Sequence, residues 1–388
     1  MKVLLCLLSD QHVPNLLSVH HFTPDQLVLI ETEQMQSRSV ATHFLRALKL
    51  GGLNYDARHL VEPLNCEDNL DSVRKALQTA YGRFAGGEWI ANLTGGTKPM
   101  SIATYEFFKA LGGKLVYTNV KRPARLIDMN SDRTEDCGHQ LGIKEFLAGY
   151  GFESRKADDK MKEAEERAKG WAQSAKLLAL HACEQDILQF DNDEQRERAR
   201  NKGIELAVDR FAFPSDELRK TWIDGATTRK LSKYEVQFLT GGWLEVFVWD
   251  VLVKHADALG IWDVQLGLEV GRCGDQSGND FDVAFMHNYG LSMIECKSGS
   301  QGHDPGSDIL YKVEAVTRQF RALRVRSYLA TTGGNVLDAS KELKSAVKNR
   351  ASIYNCRIVT APQIQRIAAA SDSPDEIRSL LLNSAESQ

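Results

Sequence analysis

Residues 89–108 read "WIANLTGGTKPMSIATYEFF". An apolar run closes on Thr94-Gly95-Gly96-Thr97-Lys98, and a helical pattern follows. Pro99 suits the first helical position, where its missing N–H costs nothing. Paired glycines let backbone amides approach a ligand closely, and a helix N-terminus favours negative charge. Thr94, Thr97 and Lys98 add hydroxyl and ammonium donors. The spacing is not that of a Walker A loop, G-x-x-x-x-G-K-[ST]. A tight strand-to-helix turn without any ligand would use the same residues.

The same plan recurs through the first 145 residues. "KVLLCLL", "QLVLIET", "EWIANLT" and "KLVYTNV" read as strands, near-continuously apolar and therefore covered on both faces. Between them, "SRSVATHFLRALKLGG" sets Val40, Phe44, Leu45 and Leu48 on one helical stripe, and "DNLDSVRKALQTAYGRF" and "PMSIATYEFFKALGG" repeat the pattern. Strands alternating with helices predict an α/β fold with a parallel sheet. Open sheets of this kind bind ligands beyond the carboxyl ends of their strands. Ser9, Asp10, Gln11 and Asn15, which follow the first strand, then line one crevice with the glycine turn. Asp10 opposes phosphate but accepts from ribose hydroxyls or an adenine amino group, which points to a nucleotide-like ligand.

With 388 residues, 43% hydrophobic and 26% charged, the chain has room for two or three domains. A net charge of −4 provides no global basic field, so a nucleic-acid partner must be held by local patches. Seven cysteines without a C-x-x-C spacing argue for a reducing compartment and against a zinc knuckle. "MKVLLCLLSD" is too short to span a bilayer and lacks a cleavage pattern, so it reads as a buried first strand. The expectation is a cytoplasmic protein with no membrane partner.

Composition shifts after residue 148. Residues 149–234 are charged and helical, a connector or alternatively a small winged-helix module whose wing would be "ATTRKLS". From 235 onward, helices and strands alternate again. Within this third region "GNDFDVAFMHNYGLSMIECKSGS" reads as two strands around a His-Asn-Tyr-Gly turn. If the hairpin is symmetric about Asn288-Tyr289, Asp282 lies opposite Glu295. Facing carboxylates repel unless a cation sits between them. Asp282 and Glu295 thus become oxygen ligands for Mg²⁺ or Mn²⁺.

Lys297 shares a face with Met293 and Glu295, whereas Ile294 and Cys296 take the other. There it would hold a water or stabilise charge on a phosphate. Two other acid-x-Lys triplets, ending at Lys160 and Lys344, sit in helix-like, charged surroundings and read as solvated faces. The helix in "LTGGWLEVFVWDVL" is apolar all round, so Glu245 in its first turns is a buried acid that makes sense as a third ligand. It could otherwise complement the helix N-terminus. Downstream, Ile309, Val313, Val316 and Phe320 form one helical stripe and Lys312, Arg318, Arg321, Arg324 and Arg326 ride the remainder, where they would contact phosphates or belong to a plain surface helix.

"LLSDQ" and "NLTGGTKPMSIA" together resemble the CARF domain (CRISPR-associated Rossmann fold), and "GGWLE…NDFDV…IECKSG" resembles the PD-(D/E)xK restriction-endonuclease superfamily. In this order they are similar to the CARF nucleases of type III CRISPR systems. The resemblance implies a sensor domain over 1–148, a connector over 149–234 and a nuclease domain over 235–388. It implies a homodimer that binds a cyclic oligoadenylate, cyclic tetra-adenylate foremost, and cleaves DNA, RNA or both. Ser9, Asp10, Gln11, Thr94, Gly95, Gly96, Thr97, Lys98 and Met100 match the ligand-binding turns. Asp282, Glu295 and Lys297 match the nuclease core, and Glu245 its first-helix acid. The proline of the superfamily's name has no counterpart, since Asn279-Asp280-Phe281 stands there, and Asp280 is an alternative outer ligand. A constitutive restriction or repair nuclease and a ligand-responsive DNA-binding regulator are the competing readings.

Overall fold

The computed structural model describes residues 1–121, 123–182, 187–275, 278–299, 325–370 and 372–382. Lys312, Arg318, Arg321, Arg324 and the final "SAESQ" lie outside them.

The first sheet is built as the apolar runs require. β1 (Lys2–Leu7), β2 (Gln26–Thr32), β3 (His59–Leu64), β4 (Glu88–Asn92) and β5 (Lys114–Asn119) are parallel in the order β3-β2-β1-β4-β5. An antiparallel hairpin, β6 (Arg125–Asp128) and β7 (Thr134–Asp136), extends the β5 edge. The sheet is therefore not parallel throughout. Helices α1 (Val13–Phe22) and α3 (Val40–Leu50), the latter preceded by the short α2 (Glu33–Ser37), cover one face with Leu16, Leu17, Phe44 and Leu48. α4 (Leu70–Arg83) and α5 (Lys98–Ala110) cover the other with Val73, Leu77 and Phe108.

The chain then runs through α6 (Ile143–Gly149) into β8 (Phe152–Ser154), which joins the second sheet as an edge strand against β11 (Ile261–Arg272). α7 (Asp158–His181), α8 (Asp193–Lys202) and α9 (Asp216–Ile223) follow, α7 packing on the core of the second sheet. β9 (Ile204–Ala207), after α8, and β10 (Thr228–Leu231), after α9, form a separate antiparallel pair.

α10 (Lys233–Gln237) passes through a π-helical turn, Phe238–Gly242, into α11 (Trp243–Lys254). The stretch from Lys233 to Lys254 is long and apolar enough to cross a membrane, but 67% of its most apolar window is buried inside the protein. It is a core helix. β11, β12 (Gly278–His287) and β13 (Gly290–Lys297) are antiparallel, while β14 (Val325–Thr331) and β15 (Cys356–Val359) continue in parallel from β13.

The two sheets are welded through a shared core. Phe281, Met286, Leu291 and Met293 pack into the cluster that holds Phe44, Phe146 and Leu147 of α3 and α6. Ile294 and Cys296 face the opposite side, where α7 and α11 supply Leu178, Trp243 and Phe247. Two hydrogen bonds fasten the same junction. Trp262 Nε1 donates to the Leu141 carbonyl at 2.8 Å, and the Ile143 N–H donates to Asp263 Oδ2 at 2.5 Å.

Candidate functional sites

The β12–β13 hairpin turns at Asn288 and Tyr289, both left-handed at φ 52° and 56°. Two such residues in a row make the tight turn whose twist suits flanking strands. His287 pairs with Gly290 and Val283 with Ile294, a ladder symmetric about the turn. Continuing it one step sets Asp282 across from Glu295. Glu295 is buried, and its Oε1 accepts from Lys297 Nζ at 2.8 Å. Asp282 Oδ2 accepts the Cys296 N–H at 2.6 Å and lies 3.9 Å from Lys297 Nζ. Burial alone would lower the Lys297 ammonium, but Asp282 and Glu295 outweigh it and hold its pKa above the usual value.

Glu245 reaches this group from α11. The π-helical turn ahead of it holds Gly241 at φ 139°, where a Cβ would sit 2.9 Å from the Ser298 hydroxyl. That close approach brings the first turn of α11 against the end of β13. Burial, and next the Asp282 charge, push the Glu245 carboxyl up to about 8. Burial and the same carboxylates hold the Cys296 thiol well above its normal value, so it stays protonated and is no nucleophile. Asp280 is exposed, in register with Glu269 of β11. Arg326 belongs to a strand and not a helix. It pairs in register with Ser292 and contacts His287, at the turn end of the hairpin and away from the carboxylates.

In the first sheet, the glycine turn is clamped to the end of β1. A Cβ on Gly95 would meet the Leu7 carbonyl oxygen at 1.9 Å, so only glycine fits. Beneath it runs a buried, uncharged network. Asn15 Nδ2 donates to the Leu7 carbonyl at 2.8 Å, Asn92 Nδ2 donates to Asn15 Oδ1 at 2.8 Å, and Thr94 Oγ1 donates to Asn92 Oδ1 at 2.7 Å. Thr97 caps α5, accepting the Met100 N–H. Met100 is fully buried against Gly96, and Asn15 is buried too, so these two sit under the turn. Ser9, Asp10, Gly96 and Thr97 are part-exposed, and Gln11 and Lys98 are exposed. Asp10 is ion-paired with Arg38.

Sequence reading missed a third cluster. His20 Nε2 and His139 Nε2 contact the two oxygens of buried Glu145 at 2.7 and 2.9 Å. Burial would raise this carboxyl, but the bonds from His139 and His20 win and hold it below the usual range. Among the described residues this is the one group of three ligand atoms mutually within 4.8 Å. Its imidazoles are stacked 3.5 Å apart and 9° from parallel, so their in-plane lone pairs do not converge on one ion. It reads as a hydrogen-bonded triad. No sequence signal joins residues 20, 139 and 145.

A mainly parallel sheet with a glycine turn at its strand ends, joined to a second sheet whose hairpin bears two acids and a lysine, defines a two-domain α/β protein. Residues 3–146 match the family model of the Card1 CARF domain, and residues 232–353 match that of the Card1-like endonuclease domain. The chain belongs to this Card1-like family of CARF-domain endonucleases. Can2 from Sulfobacillus thermosulfidooxidans, solved with cyclic tetra-adenylate, shares its fold at a TM-score of 0.64 and 20% identity, over 95% of this chain and 99% of that one. Protein VC1899 from Vibrio cholerae aligns at 0.71 and 16% identity, over 97% and 98%. A type III CRISPR defence DNA nuclease activated by cyclic oligoadenylate aligns at 0.50 and 16% identity, over 90% of this chain and 51% of that one. No curated protein matches by sequence.

Proposed function

We propose that this protein is a divalent-metal-dependent nuclease, switched on by a cyclic oligoadenylate, that cleaves DNA, RNA or both. The observation that carries the reading is the meeting of Glu295, Lys297 and Asp282 at one strand end, with Glu245 facing them. Burial first, and the Asp282 charge next, push the Glu245 carboxyl up to about 8, and a cation placed among the three acids would offset both. The donors are all carboxylate oxygens, which suit Mg²⁺ or Mn²⁺. Glu245, Asp282 and Glu295 would hold the ion, which when bound lowers the pKa of a water and polarises a phosphoryl oxygen. The Cys296 N–H fixes the Asp282 carboxylate. The Lys297 ammonium, kept charged by its neighbours, stabilises negative charge developing on the phosphate.

In the sensor, the exposed edge formed by Ser9, Asp10, Gln11, Thr94, Gly96, Thr97 and Lys98 would contact the activator. Gly95, Asn15 and Met100 set the shape of that edge from below. Cyclic tetra-adenylate has two-fold symmetry, which fits an isologous pair of sensors in a homodimer. The core shared by α3, α6 and the nuclease sheet offers the path from sensor to cutting site. The free thiols among the described residues suit a reducing cytoplasm.

The test is incubation of the purified protein with Mn²⁺, single-stranded and supercoiled DNA, and RNA, with and without cyclic tetra-adenylate. Cleavage should need the ligand and disappear in Glu295→Ala. Equal cutting in both arms would leave a constitutive nuclease in place of a switched one.

A further inference from the structure

A cleft of about 560 Å³ opens beside Glu245, between α7, α10 and the bare backbone of Gly267 in β11. Its α7 wall is one helical stripe, Lys160, Ala164, Arg167 and Trp171, at spacings that keep a single face. Lys156, just ahead of α7, and Arg200 of α8 complete the basic lining, against Glu163 and Glu245 as the acids. Among the described residues none of these four cations forms an ion pair, although Arg200 donates to the Thr240 hydroxyl at 2.7 Å; nearby Lys169 pairs with Glu166 at 2.6 Å and Lys144 with Asp158. Lys156, Lys160 and Arg167 thus stand at the cleft with no carboxylate paired to them, open to an anion.

Two details describe the lining. Lys156 Nζ lies 2.6 Å from where a Cβ of Gly267 would stand, and Gly267 has φ 71°, so glycine there leaves room for the ammonium. The Arg167 guanidinium rests 4.1 Å above the ring of Tyr234, a residue 38% exposed. Aromatic and guanidinium planes beside phosphate-binding cations are what a splayed strand uses, bases stacking while the backbone is neutralised. The volume suits a nucleotide or two, in the range of small-molecule pockets, and not a paired duplex.

Resting on the nuclease reading above, we infer that this cleft is the channel that guides single-stranded nucleic acid to the carboxylates. Lys156, Lys160, Arg167 and Arg200 hold its phosphates, and the Arg167–Tyr234 layer stacks a base.

The test is fluorescence anisotropy of labelled single-stranded DNA, single-stranded RNA and duplex of equal length. The binder is the full chain with cyclic tetra-adenylate and a Glu295→Gln background, over a range of salt. Lys160→Ala/Arg167→Ala should weaken single-strand binding about tenfold or more. It should also flatten the log–log salt slope by about 1.4, two phosphate contacts at about 0.7 each. Tyr234→Ala should weaken binding about tenfold with the slope unchanged. All variants should melt with their parent. Unchanged single-strand binding and slope in the double variant, or equally sensitive duplex binding, overturns the inference. The nuclease reading fails separately, if Glu295→Ala cuts as the wild type does while the Lys160 and Arg167 effects persist.

Discussion

The two strand-end sites solve opposite problems. Under the sensor turn, Asn15, Asn92 and Thr94 satisfy one another without a formal charge, and Gly95 fits because it has no side chain. That site is at rest by itself. At the nuclease hairpin, three acids and a lysine are crowded where burial penalises charge, and Glu245 is held near 8. Lys297 offsets part of that charge, and the proposed cation would offset the rest. A rigid, neutral seat suits discrimination of a ligand, whereas stored repulsion suits capture of a metal and handling of a phosphate.

Breaking the charged side should cost most. Lys297→Ala should lower the activated cleavage rate by about 10³-fold while the fold and Mn²⁺ binding survive, measured by single-turnover cleavage and calorimetry. A variant that keeps the wild-type rate removes Lys297 from the chemistry. Breaking the neutral side acts on stability instead. Gly95→Ala drives a methyl into the Leu7 carbonyl and should cost about 3 kcal/mol in denaturant melts. Activator binding should go with it.

A third probe uses pH. His12, buried against Phe44 and Tyr150, has its pKa lowered to about 3 by burial first and by His43 and Arg38 next. An imidazole that stays neutral in the fold supports stability above its unfolded pKa of about 6.5, and this is lost as pH falls towards 3. At pH 5 the loss is about 2 kcal/mol. His12→Gln should flatten the stability profile between pH 7 and 5, and an equally steep profile contradicts the assignment. The smallest effect belongs to the junction. Trp262→Phe removes one bond to Leu141, about 1 kcal/mol, and should reduce the ratio of activated to unactivated cleavage.

Much of this contrast was legible in the sequence, because both sites are written locally. The glycine turn lies within five residues, and the hairpin's register follows from a two-residue turn that fixes every pair behind it. Glu245 declared itself as an acid in a helix apolar all round. What was hidden depends on distant partners. β3, part-exposed and carrying Pro63, lacks the apolar run of a central strand. β8 has three residues and pairs with β11 more than a hundred positions on. The His20–Glu145–His139 triad joins three unrelated segments. Asn15 and Met100 carry the residue types of a binding turn, and only packing shows that they lie beneath it.

The most direct measurement is a calorimetric titration of Mn²⁺ into the full chain and into Asp282→Asn and Glu295→Gln. Saturable binding at the hairpin in the wild type, lost in both variants, is the predicted result. Undiminished binding in the two variants would show that these acids hold no ion, and the contrast between the sites would fall.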